Sequence, residues 1–552
     1  MPMRTSTISF SAFSVVVALG LPTGSAAQTR DQNAKWCTSP DSSPDLRIGS
    51  CTALIQAGQE TPANLALVMA NRGLGYIDTN QMDKARADFD QALKVDANCA
   101  LAYAGRGRAF AAVKAYDQAL ADGNRALQMQ ASAPHYWGRA MTYLDMEKYP
   151  SAISDFTAAI SANPAFQAAY FGRALAYFRS GDYAGSIRDN TKAIELNGAD
   201  HLAYFNRGLA YNSSKDIDKA IADFTACLKI SPGYADAFSE RGRAYFTNKD
   251  YDKALADLNQ AIALSPNDSV SYFQRARVYY VQKNYDACVA DNTRVISLDP
   301  TEYVAYHNRG LAYFSKGEHQ SAIADYTKTL EKKPDYRSSY FQRARAYYAL
   351  KNYDKSIEDN TKAISLDPKD DVAFYNRGLA ESGADRYELA LGDFNTSLGL
   401  KPNDSATIAQ RANTYSKMKL FQLAVADYTA VLVIEPKNGY QSSLRALNRA
   451  MLGQVADAAV DCDAALAAQA DNHGINETCG MVYLKAGNLA KAAAGFDKAQ
   501  VDATATDMQP LFGRGLVKLK RGQLAAAKID LDKAVAGDPK IADFYARYGL
   551  TR

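Results

Sequence analysis

The sequence predicts an all-α solenoid of about fourteen helix-turn-helix repeats with a capping helical segment at each end. Three observations lead to this prediction. An arginine returns every 34 residues, with single departures of one residue. A glycine or alanine always follows it, and a second small residue falls at a fixed distance further on. Proline also recurs at one place near the end of several repeats, where it would stop a helix.

The arginine fixes the register of the repeats. It falls at Arg72, Arg106, Arg139, Arg173, Arg207, Arg241, Arg275, Arg309, Arg343, Arg377, Arg411, Arg445 and Arg514, with Cys479 in its place once. When this residue is numbered position 7, the repeats begin at 66, 100, 133, 167, 201 and so on to 508. Position 8 is then always Gly or Ala, position 20 is always small, and position 11 is usually Tyr. Small residues at positions 8 and 20 would let two helices approach closely.

In this register the residues resemble the tetratricopeptide repeat family, whose 34-residue unit has small residues at positions 8 and 20 and proline at position 32. The resemblance covers residues 66–541 and implies one tandem superhelix, because a single unit cannot bury its own apolar face. Residues 28–65 would form an N-terminal capping segment with a helix over 46–58. Residues 542–552 would form a C-terminal capping helix that starts near Ile541.

Residues 1–27 read as an export signal. Arg4 precedes an apolar run from Phe10 to Leu21, and small residues end the segment at Ser25-Ala26-Ala27. The alternative is an N-terminal membrane anchor, but about a dozen apolar residues are too few to span a bilayer. No later segment is long and apolar enough to cross one. The expected location is therefore periplasmic or secreted.

Seven cysteines in an exported chain suggest disulfides, with one thiol left over. Cys37 and Cys51 flank a Pro/Ser-rich loop and could link the N-terminal segment. Cys462 and Cys479 lie at nearly equal distances from the turn near Ala470, so antiparallel helices could bring them face to face; whether they are bridged stays open. Cys227 and Cys288 replace alanine of other repeats, which indicates small buried hydrophobes.

Position 23 is Asp in nearly every repeat. Positions 7 and 23 are symmetric about the turn at position 15, so antiparallel helices should place the arginine and the aspartate opposite each other. The repeat that begins at 473 loses both, with Cys479 and Gly495 in their places. This joint loss favours an ion pair within each repeat that sets its geometry. The alternative, a row of arginines that binds an anionic ligand, requires position 7 to face the groove.

The opposite stripe of the first helix contains positions 2, 5, 9, 12 and 13, which in the resembling family line a concave groove and contact extended peptides. Position 5 is often aromatic, position 9 adds arginines, and position 12 adds Phe178, Phe246, Tyr280, Phe314 and Tyr348. Position 6 carries amides, broken by Glu240, in a pattern that resembles the asparagine ladder of the O-linked N-acetylglucosamine transferases. The alternative is that position 5 packs against the next repeat and position 12 covers the joint. The candidate peptide-binding residues are Trp137, Phe171, Phe205, Asn206, Arg243, Phe273, Gln274, Arg277, His307, Asn308, Phe341, Gln342, Arg345, Tyr375 and Asn376.

The residues outside this stripe do not predict catalysis. The net charge of +3 gives no basic field for nucleic acid. The five histidines are scattered, and no motif for a metal, a cofactor or a phosphate appears. We therefore expect a non-enzymatic scaffold that binds an extended segment of a partner protein. The alternative is a structural component of an envelope assembly, such as a polysaccharide-export or cell-wall complex.

Overall fold

The computed structural model describes residues 29–39, 41–501 and 507–551. The predicted export signal over residues 1–27 lies outside this part of the chain. The described residues form thirty-one helices and no strand, and the helices pair as helix-turn-helix repeats, which confirms the predicted all-α solenoid class. The chain divides into two compact units, one up to Val278 and one from Tyr279, and each is described by itself.

The N-terminal unit contains fourteen complete helices and most of a fifteenth. Their bounds are α1 Arg30–Thr38, α2 Pro44–Ala57, α3 Pro62–Asp78, α4 Met82–Val95, α5 Ala100–Ala112, α6 Tyr116–Met129, α7 Ala133–Asp145, α8 Tyr149–Ala162, α9 Gln167–Arg179, α10 Tyr183–Leu196, α11 His201–Ser213, α12 Ile217–Ile230, α13 Ala235–Thr247, α14 Tyr251–Leu264 and α15 Ser269–Val281.

The C-terminal unit contains the remaining helices. Their bounds are α16 Tyr285–Leu298, α17 Tyr303–Ser315, α18 His319–Lys332, α19 Arg337–Ala349, α20 Tyr353–Leu366, α21 Asp371–Gly383, α22 Tyr387–Leu400, α23 Ser405–Lys417, α24 Phe421–Ile434, α25 Gly439–Met451, α26 Val455–Ala468, α27 His473–Lys485, α28 Leu489–Val501, α29 Gln509–Lys520, α30 Leu524–Gly537 and α31 Ile541–Ala546.

A left-handed residue separates the two helices of each repeat. Position 15 has positive φ in all fourteen repeats, for example 68° at Lys215 and 81° at Gly317. In α11 and α12 the first helix covers positions 1–13 and the second covers positions 17–30. The turn expected at position 15 is therefore present, and it makes the paired helices antiparallel.

The small residues at positions 8 and 20 allow the close approach that the sequence predicts. Ala220 is fully buried, and a methyl group on Gly208 would lie 2.7 Å from Cε1 of Phe224 at position 24. Gly310 meets Tyr326 in the same way, whereas the repeat with Ala344 at position 8 has Asn360 at position 24. In these three repeats the volumes at positions 8 and 24 are therefore complementary.

The arginine at position 7 pairs with the aspartate at position 23 of the same repeat. In twelve repeats its Nε and Nη2 atoms donate to the two carboxylate oxygens over 2.7–3.0 Å. Arg207 and Asp223 are typical, with side chains 17% and 8% exposed. This hydrogen bonding to Asp223 raises the pKa of Arg207 despite the burial. The structure thus favours the ion pair over an arginine row open to ligands.

The same arginine also contacts the preceding repeat, which the sequence analysis missed. Its Nη1 atom donates to the side chain at position 25 of the preceding repeat, in the second helix of that repeat. Arg207 donates to Oγ1 of Thr191 at 3.1 Å, and Arg309 donates to Oγ1 of Thr293 at 3.0 Å. Arg72 makes this contact with Thr52 of α2. One guanidinium group therefore joins three helices, and α2 takes the place of a second helix before the first repeat.

Disulfides join both predicted cysteine pairs. Cys37 and Cys51 link α1 to α2, with Cα atoms 4.9 Å apart, and Cys462 and Cys479 link α26 to α27, with Cα atoms 5.5 Å apart. Both separations suit a disulfide. Cys227 and Cys288 are free and buried, as expected of small core residues.

The ends of the chain differ from the expectations. The N-terminal segment has an additional helix, α1, and the capping helix α2 covers Pro44–Ala57. The first repeat helix begins at Pro62 rather than at 66, because Thr61 caps its N-terminus and Pro62 occupies its first turn. The last helix ends at Ala546, and Gly549 then turns the chain with a φ of 67°. The expectation of a helix through residue 552 is therefore wrong.

Candidate functional site

The position-5 side chains are more deeply buried than the sequence analysis expected. Phe205, Phe273 and His307 are only 6–7% exposed, so the expectation that they face an open groove is wrong. Four further members of this set are half-buried: Trp137, Phe171, Phe341 and Tyr375.

Residues of the same and the next repeat cover position 5. The ring of Phe205 lies 5.8 Å from that of Phe224 and 5.1 Å from that of Tyr234 at position 34. Trp137 donates its Nε1 hydrogen to the carbonyl oxygen of Ala168 in the next repeat at 3.2 Å. The alternative that position 5 packs between repeats is therefore the better description, and the recurring ring at position 34 was the signal for it.

His307 shows what this packing does to a polar ring. Its Nδ1 lies 2.8 Å from Oγ of Ser339, and the rings of Tyr326 and Tyr336 lie on either side of it. Burial lowers the pKa of His307 to about 4, from an ordinary value of 6.5. The imidazole is therefore neutral in the folded chain at neutral pH.

The lowered pKa predicts a pH-dependent stability. Because the unfolded chain binds a proton at His307 more tightly than the folded chain, this group stabilises the fold above pH 6.5 and loses that contribution as the pH falls towards 4. We expect its contribution to the free energy of unfolding to be about 2 kcal/mol smaller at pH 5 than at pH 7. Phe205 and Phe273 show that the position accepts Phe, so His307→Phe should remove this part of the pH dependence in chemical denaturation. Equal slopes against pH in the two proteins would contradict the prediction.

The position-12 rings lie at the end of the first helix and contact position 17 of the same repeat. Phe246 meets Tyr251 at 5.8 Å, and Tyr348 meets Tyr353 at 5.6 Å. Tyr348 remains 39% exposed. These rings therefore cover the turn between the helices and also leave an aromatic edge accessible to solvent.

Two clusters of equivalent residues combine the amide, arginine and ring expected of a binding surface. In the N-terminal unit, Arg277 lies with its guanidinium carbon 4.6 Å from the centre of the Phe246 ring, and its Nη1 donates to Oε1 of Gln274 at 2.7 Å. In the C-terminal unit, Arg345 lies 4.9 Å from the Phe314 ring centre and donates to Gln342 at 2.9 Å. We call these the Arg277 cluster and the Arg345 cluster.

The charge of these two arginines is not compensated locally. Within the described residues, no carboxylate lies within ion-pair distance of Arg277 or Arg345. Burial and the neighbouring Arg243 lower the pKa of Arg277. Arg243 differs because it forms an ion pair with Glu240. Each cluster therefore presents an unpaired positive charge beside an aromatic ring, which is an arrangement suited to a carboxylate.

The amides of position 6 are only partly available to a peptide. The side-chain oxygens of Gln274 and Gln342 accept from their arginines, so only their N–H groups remain to donate. Asn206 and Asn308 are half-buried, and Nδ2 of Asn376 is buried without a partner. The oxygen of each glutamine is therefore already engaged with an arginine, and Gln274 is also buried.

The C-terminal segment covers the equivalent face of the last repeats. Nζ of Lys485 donates to the carbonyl oxygen of Tyr548 at 2.9 Å, and the Tyr545 hydroxyl donates to the carbonyl oxygen of Gln509 at 2.7 Å. The position-9 residues Leu447 and Met481 are 7% and 2% exposed and belong to the same apolar cluster as Leu550. The chain itself thus occupies this face near its C-terminus.

Comparisons with known proteins agree on the repeat. Two family models, both described as tetratricopeptide repeat, match residues 71–134 and 138–193, and residues 201–234, 235–268, 303–336 and 338–370. No curated protein matches the chain by sequence.

Three solved structures are among those to which this chain is similar. YrrB, described as a TPR protein with an unusual peptide-binding site, is 21% identical with a TM-score of 0.31, over 33% of this chain and 95% of YrrB. A tetratricopeptide repeat protein from Parabacteroides merdae is 21% identical with a TM-score of 0.37, over 45% of this chain and 98% of that protein. A chain of the APC/C hetero-tetramer Cut9–Hcn1 is 10% identical with a TM-score of 0.39, over 88% of this chain and 99% of that chain.

The 34-residue register, the paired antiparallel helices and the family matches lead to one assignment. The matched residues, which make up a little under half of the chain, are tetratricopeptide repeats.

Proposed function

We propose that the chain is a non-catalytic scaffold that binds an extended segment of a partner protein along the face formed by the first helices of its repeats. The observation that carries this proposal is the pair of equivalent clusters, in which Arg277 and Arg345 each stack on a ring without a carboxylate partner among the described side chains. The partner segment would supply the missing carboxylates from Asp or Glu residues.

Most of the binding free energy would come from these two clusters. A backbone hydrogen bond yields about 1 kcal/mol net, and ordering one peptide residue costs a similar amount. Hydrogen bonds to a charged group are stronger, at about 1.5–3 kcal/mol. The N–H groups of the half-buried Gln342 would orient the segment, and the buried position-5 rings would keep the repeats at a fixed spacing without touching the ligand.

A second candidate is a structural role in an envelope assembly. Apolar side chains on the second helices of the C-terminal unit face solvent, among them Leu389 at 60% exposure and Val460 at 67%. Positions 19, 22 and 29 form one stripe of such a helix, and Leu423, Ile529 and Val433 extend the pattern. Such a surface suits contact with another protein on the outer face.

We further propose that the protein is exported to the periplasm or secreted. The export signal expected over residues 1–27 and the disulfides Cys37–Cys51 and Cys462–Cys479 support this location, because disulfides persist in oxidising compartments. Among the described residues, no helix has both the length and the hydropathy needed to cross a membrane.

Selection from a library of unstructured random peptides tests the binding proposal. The full chain should enrich peptides that contain Asp or Glu. Arg277→Gln and Arg345→Gln should each weaken binding of a selected peptide about tenfold, since each removes one charge-assisted contact. Arg86→Gln is the matched control, because Arg86 lies on the second helix α4 and pairs with the exposed Asp83, and it should leave the affinity nearly unchanged. Selection of peptides without acidic residues, or equal binding by all variants, would contradict the proposal.

A further inference from the structure

Three metal-ligating side chains meet where the last two repeats join. His473 and Glu477 lie one turn apart on α27, and Asp507 precedes α29. One ligand atom from each residue lies within 4.8 Å of the other two. The Nε2 atom of His473 is 2.8 Å from Oδ2 of Asp507 and 3.8 Å from Oε2 of Glu477.

The backbone fixes which nitrogen of His473 faces the carboxylates. Nδ1 lies 2.7 Å from the carbonyl oxygen of Ala499 in α28. A carbonyl oxygen can only accept, so Nδ1 carries a hydrogen and donates it. In a neutral imidazole Nε2 then has a lone pair, and this lone pair points at a carboxylate oxygen 2.8 Å away. A cation between them, either a proton or a metal ion, is required for an attractive contact.

A divalent metal satisfies this group of side chains better than a proton. One proton on Nε2 would serve Asp507, but Glu477 would remain 3.8 Å away from the ring nitrogen, and no hydrogen-bond donor reaches it from the described part of the chain. When both are ionised, the two carboxylates bring two negative charges into a half-buried place, with side-chain exposures of 13% for Glu477 and 25% for Asp507. A divalent ion neutralises both charges.

The ligand set and its surroundings match a zinc-type site. Zn²⁺ takes one imidazole nitrogen and two carboxylate oxygens readily, with water at a fourth position, and the partial exposure of all three side chains leaves room for that water. Donation from the other ring nitrogen to a backbone carbonyl is the arrangement that orients metal-binding histidines. We propose that His473, Glu477 and Asp507 bind a divalent transition metal, with Zn²⁺ the best fit.

The position of the site gives the metal a structural role. The repeat that begins at His473 has Cys479 and Gly495 in place of the Arg–Asp ion pair. The Cys462–Cys479 disulfide joins it to the preceding repeat, and the metal would join its first helix to Asp507, directly before the following repeat. Two cross-links thus replace the ion pair in this repeat.

Calorimetric titration of chelator-treated full-length protein with Zn²⁺ at pH 7 tests the proposal. We expect one ion per chain and a rise in the melting temperature. Glu477→Gln and Asp507→Asn should each weaken Zn²⁺ binding by about 100-fold, and His473→Gln should abolish it. Asp507→Glu should retain much of the affinity. Asp471→Asn is the control, because Asp471 pairs with Lys498 outside the site, and it should bind like the unaltered chain.

The variants also distinguish the loss of a metal-binding side chain from unfolding of the chain. Each should give the circular dichroism of the unaltered chain, and Asp507→Asn changes charge without changing size. Failure of the unaltered chain to bind Zn²⁺, or binding that Glu477→Gln and Asp507→Asn leave intact, would overturn the proposal and leave His473 as a hydrogen-bond partner of Asp507 alone.

Discussion

Asp223→Ala should lower the free energy of unfolding by about 3–5 kcal/mol, because it leaves the half-buried guanidinium of Arg207 without its carboxylate. The loss should appear in chemical denaturation and as faster hydrogen exchange in α11 and α12. The contact of Arg207 with Thr191 would remain, but a hydroxyl cannot neutralise the charge.

Two comparisons identify the cause of this loss. Arg207→Met combined with Asp223→Leu removes both charges and keeps an apolar contact, so it should recover most of the stability. Asp216→Ala breaks an exposed pair with Lys219 and should lower the stability far less. If Asp223→Ala were as mild as Asp216→Ala, the ion pair would not set the repeat geometry.

Loss of the Cys462–Cys479 disulfide should lower stability by about 3 kcal/mol, the value for a closed loop of 17 residues. The effect should be local to the C-terminal unit, because both cysteines are buried in its core. We expect faster hydrogen exchange in α26 and α27 for Cys462→Ala combined with Cys479→Ala, and a similar change when reductant is added to the unaltered chain.

The second disulfide supplies the control. Cys37→Ala combined with Cys51→Ala opens a loop of 14 residues in the N-terminal unit and should leave exchange in α26 and α27 unchanged. Reductant that leaves these two helices as protected as before would contradict a stabilising role for Cys462 and Cys479.

The repeat and its ion pair could be predicted from the sequence because both depend on local spacing. The 34-residue period fixes position 7, and symmetry about the turn at position 15 places Asp223 opposite Arg207. The third contact of the arginine, with Thr191, could not be predicted so directly because it depends on how one repeat stacks on the previous one.

The surroundings of the proposed binding residues were harder to predict for the same reason. Helical periodicity places position 5 on the stripe of positions 9 and 12, but it does not show that Tyr234, the last residue of the same repeat, covers Phe205. Stacking of Arg277 on Phe246 likewise joins two repeats. His473 and Asp507 are 34 residues apart in the sequence and meet only because consecutive repeats pack side by side.

Photo-crosslinking of a selected acidic peptide tests the binding account most directly. A photoreactive phenylalanine analogue at Tyr348 lies on the first-helix face, and one at Leu389 lies exposed on the second-helix face of the same unit. The account predicts crosslinks from position 348, their loss with Arg345→Gln, and none from position 389. Crosslinks from position 389 but not from 348 would contradict it and favour docking on the outer face.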